Sequence, residues 1–89
     1  MAVKKTHTAT AENSFSGKFA LDAAPARISF TGTSTVLLRL YAISDGTTIT
    51  GTLKIEDGIS QLTPVFRGLF DIGVPTGGFV DSTVITVEQ

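Results

Sequence analysis

The sequence predicts an all-β domain, a small antiparallel β-sandwich or partly open barrel of about six strands with an extended N-terminal arm. Short β-branched or aromatic runs recur from Ser14 onward, separated by turn signals at intervals of roughly 8 to 12 residues. No stretch sustains a helical period. Two Asp-Gly pairs, Asp45-Gly46 and Asp57-Gly58, favour tight hairpin turns whose central residues take positive φ.

Residues 1–13 are small and polar and form the expected arm, with residues 14–89 as a single domain. A disordered terminus is the plain reading of such a segment, and an arm held by a neighbouring subunit is the other. Strands are expected at 14–21, 26–31, 35–44, 47–56, 60–70 and 79–88. Between them lie the breakers Asp22 to Pro25, Gly32 to Ser34, the two Asp-Gly pairs, and Val74 to Gly78.

A two-residue turn at Asp45-Gly46 sets a register: Ala42 opposite Ile49, Leu40 opposite Gly51, Leu38 opposite Leu53, Val36 opposite Ile55. The same construction around Asp57-Gly58 sets Leu53 opposite Leu62, Gly51 opposite Pro64 and Ile49 opposite Phe66, with Gly68 and Phe70 continuing the face. Both turns give one apolar face, so a three-stranded meander is expected. Pro64 cannot donate a ladder hydrogen bond and marks an edge strand or a bulge. An exposed edge is a template for another chain. Phe15 and Phe19, at alternate positions of the first strand, are expected in the core with Phe66 and Phe70.

The opposite face carries Leu37, Arg39, Tyr41 and Ile43, then Lys54, Thr52, Thr50 and Thr48, then Gln61, Thr63, Val65, Arg67 and Leu69. One reading is a solvated face dotted with apolar residues. The other makes Leu37, Tyr41, Ile43, Val65 and Leu69 a subunit contact with Arg39 and Arg67 at its polar rim. Lys4 and Lys5 in the arm and Phe79 beside two glycines complete the candidate partner-interface residues.

At 89 residues without cysteine, the domain has neither disulfides nor thiolate metal ligands to support a small core. Its hydrophobic content of 42%, charged content of 17% and mean hydropathy of +0.28 suggest that part of the surface faces a partner. A net charge of −1 gives no field for nucleic acid or an anionic membrane. Polar residues Thr6 to Glu12 stand where a signal peptide would place its apolar segment. The apolar run Val36 to Ile43 contains Arg39 and falls far short of the ~20 residues of a membrane helix. No export signal and no membrane partner are expected.

Catalytic and cofactor chemistry finds little to stand on. The single histidine, His7, lies in the arm, and no Gly-x-Ser-x-Gly elbow occurs. Asp22, Asp45, Asp57, Asp71 and Asp81 lie near expected strand ends, where turn formation explains them better than calcium. The run Gly73 to Phe79 lacks the Lys-Ser/Thr ending of a phosphate loop. No enzyme, cofactor or metal is expected. With no Trp and one Tyr, aromatic platforms for carbohydrate are scarce. A monomeric β-sandwich binding module for carbohydrate or protein, using Thr76 to Phe79, is the alternative function.

The segments Phe15 to Leu21 and Val36 to Thr47, with the cysteine-free, Thr- and Gly-rich texture, resemble small bacteriophage virion structural proteins of the capsid decoration or cement type. The resemblance spans nearly the whole chain and is one of texture, so no functional residue carries across by position. It implies a structural virion subunit that binds capsid protein or like subunits, commonly as a homo-oligomer, with a trimer as one candidate symmetry. It places the chain in the virion; a non-viral chain without an export signal would be cytoplasmic.

Overall fold

A computed structural model describes residues 1–10, 12–32, 35–42, 44–56, 58–75 and 83–89. The chain is all-β among these residues. Its strands are β1 (Val3–Ala9), β2 (Phe19–Leu21), β3 (Ala26–Thr31), β4 (Val36–Tyr41), β5 (Ile49–Ile55), β6 (Ile59–Leu62), β7 (Gly68–Gly73) and β8 (Thr83–Glu88). They form two four-stranded antiparallel sheets, β1-β8-β3-β6 and β2-β7-β4-β5, an arrangement compatible with a small β-sandwich.

Period-two alternation builds the core. Ala26, Ile28 and Phe30 of β3 and Ile85 and Val87 of β8 project from one sheet. Leu21, Val36, Leu38, Ile55, Phe70 and Ile72 project from the other, and all belong to one buried cluster. The shortest Cα extent of the molecule, 18 Å, accommodates two sheets packed about 10 Å apart.

The register expected for β4 and β5 is observed at Val36 with Ile55, Leu38 with Leu53 and Leu40 with Gly51. It then shifts between Leu40 and Tyr41, so that Tyr41, not Ala42, partners Ile49. The reason lies in the Asp45 carboxylate. It accepts hydrogen bonds from the Thr47 and Thr48 amides, each at 2.9 Å, and from the Thr48 hydroxyl. This side-chain turn, with Ala42 N donating to Thr48 O, replaces the expected two-residue hairpin by a wider loop. Gly46 supplies the positive φ, +67°, that the loop requires.

The meander does not continue into β6. Gly58, at φ +75°, lets its carbonyl accept from Phe30 N, and β6 then pairs along β3 in the other sheet. Asp57 lies outside the described residues. The strand expected at 60–70 ends at Leu62 and resumes as β7, with Pro64 in the connection that crosses from one sheet to the other. Leu62 and Leu53 are not ladder partners; both line one hollow.

Further corrections concern the N-terminal segment. Residues 3–9, expected within an arm, form β1 along β8, and Ala2 and Gln89 exchange backbone hydrogen bonds of 3.1 and 2.8 Å beyond it. His7 therefore sits in a strand, with Nε2 2.9 Å from the Asn13 carbonyl. Among the described residues eight strands stand where six were expected. Phe19 joins the core, but Gly17 at φ +80° breaks the alternation and sends Phe15 elsewhere. Phe66 is 53% exposed, because Pro64 has taken it out of the strand.

Candidate functional site

The outer side of β4 and β7 holds a built polar cluster. Arg39 and Asp71 are ladder partners, and the guanidinium donates from Nε and Nη2 to the two carboxylate oxygens at 2.7 Å each. Tyr41, two residues on along β4, lies on the same side, where its hydroxyl donates to Asp71 Oδ2. Phe15 bridges to Gly73, and Arg39 stacks over its ring with 3.7 Å from Cζ to the centroid. Lys18 Nζ lies 4.9 Å from the centroid of Tyr41.

Asp71 is thus a buried acceptor and not the turn former expected. Burial pushes its carboxyl up, but the hydrogen bonds from Arg39 and Tyr41 and the Arg39 charge outweigh that and hold it below the ordinary carboxylate range. The same hydrogen bond to Asp71 raises Tyr41, with burial adding to it, and the bond to Asp71 raises Arg39. Every member has its partner inside the chain, so the cluster locks the 14–18 segment onto β7. That is a structural role.

The expected interface residues fall in several places. Arg39 and Tyr41 belong to this cluster, and Leu37 lies opposite Gly73 on β4. Tyr41, Arg67 and Leu69 do converge, around a hollow of about 200 Å³ with Ala20, Ala42 and Gly68. Val65 stands apart in the 63–67 connection, 90% exposed. Lys4 and Arg67 both approach Asp22, at 3.9 and 3.6 Å, and Lys5 is half-buried in β1. Ile43 and Phe79 lie outside the described residues.

A surface that the sequence did not single out lies where β5 and β6, the last strands of their sheets, face one another. The two sheets diverge there, and a hollow of about 230 Å³ opens among Leu38, Leu40, Gly51, Thr52, Leu53, Leu62 and Phe70. A second hollow of about 250 Å³ adjoins it, sharing Leu40, Leu62 and Phe70 and walled by Thr63, Pro64, Val65 and Phe66. Leu53, Val65 and Phe66, which line these hollows, are each more than 40% exposed. The two charges nearby, Lys54 and Glu56, pair with each other at 3.1 Å. Each hollow is below the ~300–1,000 Å³ of small-molecule pockets, and both are open. Such a margin suits apolar protein side chains.

The Asp57-Gly58 turn signal and Pro64 both bear on this margin, but a continuous meander, the arrangement they favour locally, would cover it. Among the described residues, no group of three metal-ligating side chains converges and no helix is long and apolar enough to cross a membrane. Compared with protein-family models, curated proteins and solved structures, the chain matches none.

Proposed function

We propose that the chain is a structural subunit of a protein assembly, a capsid decoration or cement protein of the bacteriophage type, which binds neighbouring capsid subunits or copies of itself. One observation carries this reading: the apolar margin near β5 and β6, where Leu53, Val65 and Phe66 stand exposed around open hollows with no net charge to balance. Exposed apolar surface of that kind marks a protein contact in a domain of this size. In this reading the two sheets are the layers of a sandwich. The N-terminal segment acts as an arm through β1, which ends its sheet and offers a free edge.

Light scattering on the purified protein tests the reading, with a glycan panel beside it. A mass that is a multiple of 9.3 kDa, or binding to capsid shells, is the expected result. A stable monomer without affinity for shells, showing saturable glycan binding abolished by Phe79→Ala, would replace it with the binding-module alternative.

A further inference from the structure

We infer that β5 is the contact edge between two copies of this chain, which pair their β5 strands antiparallel about Thr52 and so join two four-stranded sheets into one of eight strands. The inference rests on the assembly reading and assigns it a surface and a symmetry.

Among the described residues β5 pairs with β4 alone, so one side of its backbone faces no strand of its own chain. A row of unpaired N–H and C=O groups is a template for strand addition. The side chains of β5 select the occupant. Written from Ile49 to Ile55, the strand reads Ile-Thr-Gly-Thr-Leu-Lys-Ile. Turned on a two-fold axis at Thr52, it places Thr50 opposite Lys54, Gly51 opposite Leu53 and Thr52 opposite itself. Leucine meets glycine on the inner face, threonine and lysine meet on the outer face, and no like charges oppose. A two-fold contact has to be self-complementary in this way, because the same patch serves both partners.

Shape agrees with pattern. A Cβ added at Gly51 would meet nothing within 4 Å, so the space beside that glycine is open. Leu53, two residues on, is 43% exposed. In the paired strands each copy's Leu53 lies over the other's Gly51, filling the mouth of the hollow that Gly51 and Leu53 themselves line. An unrelated peptide would find only the backbone edge, whereas a second copy sets its Leu53 against the open space at Gly51.

Two substitutions test the geometry in the intact chain. Gly51→Leu fills space that is empty within one copy, and Gly51 has no positive φ to strain, so the fold accepts it. It occupies the place of the other copy's Leu53 and is expected to weaken the dimer roughly tenfold or more by sedimentation velocity, with an unchanged far-ultraviolet spectrum. In this cysteine-free chain, Thr52→Cys is expected to form a disulfide between copies under mild oxidation, because the axis brings the two Cα atoms within bonding range. Thr8→Cys, on β1 at the far edge of the other sheet, serves as the control and stays unlinked. A dimer unaffected by Gly51→Leu, or Thr8→Cys cross-linking as readily as Thr52→Cys, overturns the β5 contact and leaves the assembly reading standing. A wild-type chain that is monomeric throughout also overturns it; if that chain binds no capsid shell either, the assembly reading falls too.

Discussion

Arg39 and Asp71 face each other directly across β4 and β7 and are joined by two parallel hydrogen bonds of 2.7 Å. The carboxylate is almost wholly buried, and the guanidinium keeps about a quarter of its surface, lying over the Phe15 ring. Asp71→Ala strands the arginine and the Tyr41 hydroxyl without their acceptor. Removing one partner of a buried pair costs about 3 to 5 kcal/mol, and the partial exposure of Arg39 brings the expected loss to about 2 to 4 kcal/mol. Denaturant unfolding at low protein concentration measures it.

Tyrosinate absorbance reads the same cluster from the other partner, since Tyr41 is the only tyrosine. Its hydrogen bond to Asp71 and its burial raise it above 10.0. The stability tied to the protonated phenol is therefore complete below the unfolded value and is lost as pH rises through the folded one. Asp71→Asn is expected to move the midpoint back toward 10.0.

Acid exposes the carboxylates. Asp45 is held at about 2 by hydrogen bonds from the Thr48 hydroxyl and amide and the Thr47 amide, and Asp71 also lies below its ordinary 3.8. Both groups are depressed in the folded chain, so their contribution is present above the unfolded value near 3.8 and fades as pH falls toward about 2. Carboxyl resonances followed by nuclear magnetic resonance should show Asp45 titrating at about 2 in the native protein and moving upward toward 3.8 once Thr48→Ala and Thr47→Pro remove the Thr48 hydroxyl and the Thr47 amide, the Thr48 amide remaining as donor.

Gly73 is packed so closely under the 14–18 segment that a Cβ there would lie 2.2 Å from the Ser14 carbonyl oxygen and 2.6 Å from the Phe15 ring. Backbone at that distance has to move. Gly73→Ala is expected to cost about 1 to 3 kcal/mol through overpacking. Amide exchange should accelerate at Ser16 and Val74, whose N–H groups bond to the Ile72 and Ser14 carbonyls.

Leu38 and Leu53 are ladder partners with different surroundings, 4% and 43% exposed. Leu38→Ala is expected to cost about 2 to 5 kcal/mol. Leu53→Ala removes less buried surface and should cost about 1 kcal/mol or less in the dilute monomer, with the rest appearing only as protein concentration rises.

The pairing of β4 with β5 was legible because the Asp45-Gly46 turn signal sets Val36, Leu38 and Leu40 against a matching set in Ile55, Leu53 and Gly51. β1 was not, because Lys4, Lys5, Thr6, His7 and Thr8 show no apolar alternation; its strand conformation comes from the edge of β8. Arg39 and Tyr41 were legible on one face, but their meeting with Asp71 depended on β7 pairing with β4, which no local pattern encodes. The Asp-Gly signal at Gly58 correctly marked a positive φ but not its consequence, because the same backbone bend serves a hairpin or a crossing between sheets. The open margin follows from that one choice.

Hydrogen exchange of the unaltered chain at low and high protein concentration tests most directly where it meets its neighbours. Amides of β5 should become more protected with concentration, while those of β1 stay unchanged. Protection that rises in β1, or on the Leu37 and Arg39 face, with β5 unaffected would contradict the assignment of the β5 and β6 margin as the contact surface.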